Sequence, residues 1–130
     1  MSPSDKEWGG ASKVYTAEYA AYKRIVDPDD PHKFSRQIDA FHAAASIGIR
    51  LNATPVIDPS KHREELVNVY SIDTDGILWA TISALFPDAS GAERFEKLMS
   101  YADYGIQQID EKFIIFGNLQ AVMDSVLGQH

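Results

Sequence analysis

The side chains with the widest chemical range in this chain are four histidines, His32, His42, His62 and His130. A helical zinc site sets two histidines one turn apart, as in HxxxH or HExxH, so that both imidazoles meet one ion. No such pair occurs, and only single carboxylates lie at helical spacing, such as Asp39 for His42 and Glu65 for His62. His42 is therefore expected to play a polar role on a helix flank. Ser46 lies in AFHAAASIGIR rather than in GxSxG, where its hydroxyl can bond a carbonyl one turn back. Gly9-Gly10 and Gly91 fit neither GxxxxGK[ST] nor GxGxxG, so no phosphate cradle is expected. Glu64-Glu65, Asp110-Glu111, and Asp73 with Asp75 would bind a cation or do acid–base work if a cleft held them together. Adjacent helix positions diverge, however, which favours solvated faces and caps. The absence of cysteine removes thiolate ligands, cysteine nucleophiles and disulfides at once. No catalytic residue, metal or cofactor is expected, although a small hydrolase built on Asp and His stays open as a third reading.

Charge is the next source of function. The chain carries a net charge of −7, which opposes unaided grip on a phosphate backbone, because such affinity comes from Lys and Arg releasing counterions. The distribution is uneven. Between His32 and Arg63 stand Lys33, Arg36, Arg50, Lys61 and Arg63 against Asp39 and Asp58, a balance of +3, so the remainder carries −10. A nucleic acid or acidic partner would meet the chain there. The competing expectation is a solvated face that balances acidic surroundings. Tyr15, Tyr19 and Tyr22 offer a second ambiguity, a base-stacking strip or the covered edge of a core, and helical spacing favours the core.

These residues need elements to position them, and the pattern points to helices. At 130 residues, 45% apolar and 24% charged, the chain has the size and balance of one globular domain. No apolar run is long enough to span a membrane and no signal peptide is evident, so a cytoplasmic protein is expected. Residues 1–13 read as a mobile tail in which Trp8 alone could be pinned, and 14–130 as a single helical domain. The stripe Val14, Ala17, Ala21 and Ile25 predicts a short helix over 14–26. Phe34, Ile38, Phe41, Ala45 and Gly48 predict a second over 34–51, with Asp30 as cap and Pro31 in its first turn. Asn52 is read as its left-handed stop, and Asp58-Pro59 as another helix start. Residues 60–66 suggest one or two helical turns, while helix and strand both remain open at 67–72.

Further on, Asp73-Thr74-Asp75-Gly76 supplies turn and cap chemistry for an apolar helix ending at Pro87, and Ser90 with Glu93 matches the capping box. Phe95, Leu98, Met99, Ala102, Ile106 and Ile109 form the most regular stripe, extending to about Phe113, before a stop or kink at Gly117. Leu119, Val122, Met123 and Val126 line a last helix that either closes the core or meets a partner copy. The expected architecture is thus all-α, a compact bundle of five to six short helices with an extended segment near 67–72 as the alternative there. Its closest crossing should bring Ala44, Ala45 and Gly48 against Ala102 and Gly105, where short side chains let two backbones approach.

The order of a small-residue helix (AFHAAASIGIR), a proline-containing connector, a piece ending in Asp-Thr-Asp-Gly, an apolar helix (ILWATISALF) and a helix containing YADYGIQQI resembles a known family. It is that of the small helical DndE-type and Dnd-associated proteins of the bacterial system that installs or polices phosphorothioate linkages in DNA as antiphage defence. The resemblance covers about residues 34–109, including Tyr-x-x-x-Gly-Ile at Tyr101, Gly105 and Ile106. It implies a helical protein linked to DNA binding through surface lysines. The acidic balance of this chain departs from that pattern, and no catalytic residue is carried over. The leading expectation is a non-catalytic accessory or adaptor protein that binds other proteins, with self-association open, in a bacterial DNA-modification or antiphage complex. The alternative is a DNA-binding module using Lys33, Arg36, Arg50, Lys61 and Arg63.

Overall fold

A computed structural model describes residues 8–51, 60–73 and 75–128. The elements, in order, are β1 (Lys13–Thr16), α1 (Tyr19–Ile25), α2 (Gln37–Arg50), β2 (Glu64–Asn68), α3 (Val69–Ile72), α4 (Ile77–Leu85), α5 (Gly91–Phe116) and α6 (Leu119–Leu127). The chain is mostly helical but not all-α, since β1 and β2 pair as an antiparallel two-stranded sheet. The helical stripe read from Val14 splits here. Val14 and Thr16 point inward and Tyr15 outward, the period of two that belongs to a strand. A bulge between Val14 and Tyr15 brings Thr16 opposite Glu64. The Thr16 hydroxyl accepts from the Glu18 N–H, closing a turn from which α1 starts.

Residues 8–13, assigned above to a mobile tail, belong to the fold. Trp8 is buried edge-on against Trp79, with ring centroids 4.8 Å apart, and tilted against Phe95 at 5.8 Å. The Ser12 carbonyl accepts from Val69 N–H at 3.1 Å, continuing the β1–β2 ladder into α3. The β-branched run at 67–72 therefore resolves into both candidates, strand through Asn68 and then a single helical turn.

Entry into α2 also differs from expectation. Asp30 does not cap it; its side chain accepts from His32 N–H at 2.9 Å, a local turn. Phe34 N–H donates to Ile25 O and Asp27 N–H to Phe34 O, so the backbone of Phe34 bridges to Val26 and cannot begin a helix. Helix α2 starts at Gln37 instead, with Asp39 favourably placed in its positive first turn and held by Arg36. The expected Asn52 stop and Asp58-Pro59 start lie outside the described residues.

Helices α2 and α5 form the centre of the molecule. A methyl group built on Gly48 would strike the Tyr101 carbonyl, and one on Gly105 would strike the Ala44 carbonyl. The close crossing expected from short side chains is present, and the paired order shows the helices running antiparallel. The capping chemistry is likewise as read. Asp73 accepts from Leu78 and Trp79 N–H groups, both at 2.8 Å, and Asp75 from Ile77 N–H at 3.1 Å, so both carboxylates satisfy the start of α4. Ser90 and Glu93 exchange both capping-box bonds at the start of α5. That helix continues to Phe116, where Gly117 adopts φ 76° and turns the chain into α6 beneath Asn118 as cap.

Candidate functional site

The structure disperses the basic set. Lys33 lies over the Phe113 ring at 6.0 Å, whereas Arg63 pairs with Glu96 at 3.1 Å. Their anchors on α5 are 17 positions apart, ~25 Å along the axis. Arg36 pairs with Asp39 at 2.9 Å and Lys61 with Glu18 at 3.3 Å, while Arg50 is exposed in the last turn of α2. No single stripe gathers the five, and the ion pairs of Arg36, Lys61 and Arg63 would each compete with a phosphate.

The last helix turns its stripe inward. Val122 and Val126 are 0% and 1% exposed, and Leu119 and Met123 pack on the same core. Of the two uses open to this stripe, core closure is the observed one, which corrects its assignment as a candidate partner interface.

The titratable side chains serve mainly as internal ties. His42 Nε2 lies 2.5 Å from the Ile72 carbonyl, fastening α3 to α2, and His62 pairs with Glu64 at 2.8 Å on the surface. His130 lies outside the described residues. Ser46 is exposed rather than inside the crossing. Among the described residues no group of three or more His, Cys, Asp or Glu is placed to hold a metal ion.

Asp103 is the polar residue that sequence patterning passed over. It accepts from the Thr16 hydroxyl at 2.5 Å and from Ala17 N–H at 3.1 Å, tying the β1–α1 turn to α5. Burial pushes its carboxyl above the ordinary range, against the pull of these two hydrogen bonds. Nearby, the phenol of Tyr22 is raised by burial and by the Asp103 charge, and its hydroxyl has no partner among the described residues. Because the folded value of Asp103 exceeds the unfolded one, its contribution to stability is lost as pH rises from the unfolded value through the folded one. Asp103→Asn is therefore expected to gain stability relative to the parent at pH 7 compared with pH below the carboxylate range. Urea midpoints at the two pH values measure this, and an unchanged difference between the proteins would refute it.

A cleft of about 440 Å³ lies beside this tie, between α1 and α5. Four of its polar side chains are engaged: Arg24 holds Asp110 by two bonds, and Glu18 accepts from Gln107 at 2.9 Å and also from Lys61. The unsatisfied surface lies elsewhere. Ile114, Ile115 and Phe116, the last turn of α5, are 74%, 74% and 45% exposed. Consecutive helical residues project at ~100° intervals, so the three cover about 200° of the circumference. A helix turn apolar over so much of its surface is ordinarily enclosed. No helix among the described residues is long and apolar enough to cross a membrane. No known protein family, curated protein or solved structure matches the chain.

Proposed function

We propose that this protein is a non-catalytic adaptor that docks a partner protein through the apolar last turn of α5. The observation that carries the reading is the run of three large apolar side chains left in water at Ile114, Ile115 and Phe116. A convex knob of this kind fits a concave apolar pocket, where a few enclosed residues dominate the binding energy. A convex knob does not complement a copy of itself, as a two-fold symmetric contact would require, so the partner is a different protein that supplies the pocket. By resemblance to the Dnd-associated proteins, the setting is a cytoplasmic bacterial complex of DNA modification or antiphage defence. Direct grip on DNA has less support, because the basic side chains are scattered and three of them are held by carboxylates.

The test is the variant Ile114→Asp with Ile115→Asp. Both positions are exposed, so the fold should survive, although each new carboxylate stands in the last turn of α5 four residues after Asp110 or Glu111 and costs about 1 kcal/mol. The parent should retain a defined protein from its native extract and the variant should not. Equal recovery by both would sink the reading, as would duplex DNA binding that falls steeply with salt.

A further inference from the structure

Helix α4 carries no charged residue, yet Ile82 is its one buried side chain. Ile77 and Leu85 are 62% and 47% exposed, and Ala80 and Ala84 between them are exposed as well. At ~100° per residue these four and Thr81 fall within about 140° of one side, a single stripe turned away from Trp79 and Ile82. The Thr81 hydroxyl donates to the Ile77 carbonyl at 2.8 Å, so this residue adds its methyl group to the stripe. Large side chains at both ends and short ones between them make a saddle, the shape that lets a second helix cross at short distance. An extended strand would find no pairing here. The N–H groups of Ile77, Leu78 and Trp79 are taken by Asp75 and Asp73, and the Phe86 and Pro87 carbonyls at the other end accept from Arg94. An occupant of this face must satisfy its own backbone, as a helix does.

The surrounding charges narrow the occupant further. Asp75 stands just before the stripe and Asp88 just after it, both exposed. Arg94 lies over Trp79, on the opposite side of α4, and Lys97 over Phe86. Beside Ile77 a hollow of about 190 Å³ is lined by Ile72, Leu78, His42, Ser46, Asp73 and Asp75, with no Lys or Arg. Apolar walls under a carboxylate suit the aliphatic stem and charged head of a lysine or arginine. Asp75 spends Oδ1 on the Ile77 N–H, which leaves Oδ2 to meet that head. A second copy of the chain brings the same −7 and is repelled, whereas a basic partner is attracted. We propose that the outer face of α4 docks an amphipathic helix of a partner protein, with its apolar stripe in the saddle and Lys or Arg at its flanks. This face shares no residue with the end of α5, so the two contacts can be lost separately.

Selection of a phage-displayed library of randomised amphipathic helices on the full chain tests this. Enriched sequences should hold apolar residues at spacings of three and four and carry Lys or Arg beside them. A synthetic winner should gain helical circular dichroism on binding, and a proline at its centre should abolish the affinity. Ala84→Arg sets a long cation in the saddle at an exposed position, so the protein should stay folded and bind the peptide at least about tenfold more weakly. Asp75→Asn keeps a capping oxygen for Ile77 and removes the charge, so it should weaken the peptide about threefold and lower its salt dependence. The Ile114→Asp, Ile115→Asp variant should bind the peptide as the parent does. Failure to enrich any helix, winners without basic residues, or full affinity in Ala84→Arg or Asp75→Asn would overturn the proposal. Sedimentation that showed parent dimers dissolved by Ala84→Arg would overturn it too, by giving the face to a second copy.

Discussion

Gly105→Ala, the addition of one methyl group, is expected to destabilise the protein by about 2 kcal/mol. The new carbon would fall inside the van der Waals envelope of the Ala44 carbonyl oxygen, a backbone atom with no rotamer by which to withdraw. Overpacking of this kind costs ~3 kcal/mol. Alanine returns ~1 kcal/mol through its better helix propensity. The clash therefore wins, and the loss is a large share of the ~5–15 kcal/mol that holds a domain folded. Gly48 makes the same contact in the other direction, against the Tyr101 carbonyl, so Gly48→Leu should be more severe. The companion Ala44→Gly should not rescue Gly105→Ala, because the obstructing oxygen stays in place. Urea midpoints measure both, and parental stability in Gly105→Ala, or its rescue by Ala44→Gly, would refute the packing argument.

That crossing was legible in the sequence because the distance between two helices is governed by the side chains at their contact. Ala44, Ala45 and Gly48 on one stripe and Ala102 with Gly105 on another announce a short interaxial distance without any knowledge of connectivity. Caps were legible for a related reason: Ser90 and Glu93, and Asp73 with Asp75, act within a few residues of themselves. The strands were not. Four residues at 13–16 cannot separate a period of two from one of 3.6, and Val14 is inward in either. In β2, Glu-Glu-Leu-Val-Asn lacks alternation, its two glutamates both being exposed, and its pairing lies about fifty residues away in β1. The false start at Asp30 has the same origin. A bridge from Phe34 back to Val26 decided where α2 could begin.

The surface was harder to read. The basic excess between His32 and Arg63 is a fact of sequence, but its meaning depends on Glu18 and Glu96, which lie far from Lys61 and Arg63 along the chain. The apolar stripe of α6 was visible, while the face of the protein it covers was not. Conversely, Ile114-Ile115-Phe116 marked in the sequence only the place where a helix stops or kinks before Gly117. It becomes surface because Gly117, at positive φ, turns α6 back onto the core and leaves the last turn of α5 uncovered.

Trp8→Ala should cost more than any substitution at the surface, about 3 kcal/mol. Truncating a buried tryptophan in a well-packed core costs ~4 kcal/mol through lost burial and the cavity left behind. Against this stands the indole Nε1–H, which is buried without a partner among the described residues, so its removal returns ~1 kcal/mol. The ring contacts Trp79 of α4 and Phe95 of α5, and through them ties the first described residue to elements seventy and more positions later. Trp8→Phe separates the two effects: it keeps an aromatic ring and removes the orphaned donor, and should cost about 1 kcal/mol. Equilibrium unfolding of the three proteins orders them parent, Trp8→Phe, Trp8→Ala. Hydrogen exchange adds a local readout, because a segment that merely rests on the surface would free only its own amides. The amide of Val69, bonded to Ser12 O, should lose protection in Trp8→Ala together with those of α4 and the first turns of α5. If Trp8→Ala unfolded at the parental midpoint, the chain before β1 would lie outside the cooperative unit and the aromatic contact would contribute nothing to stability.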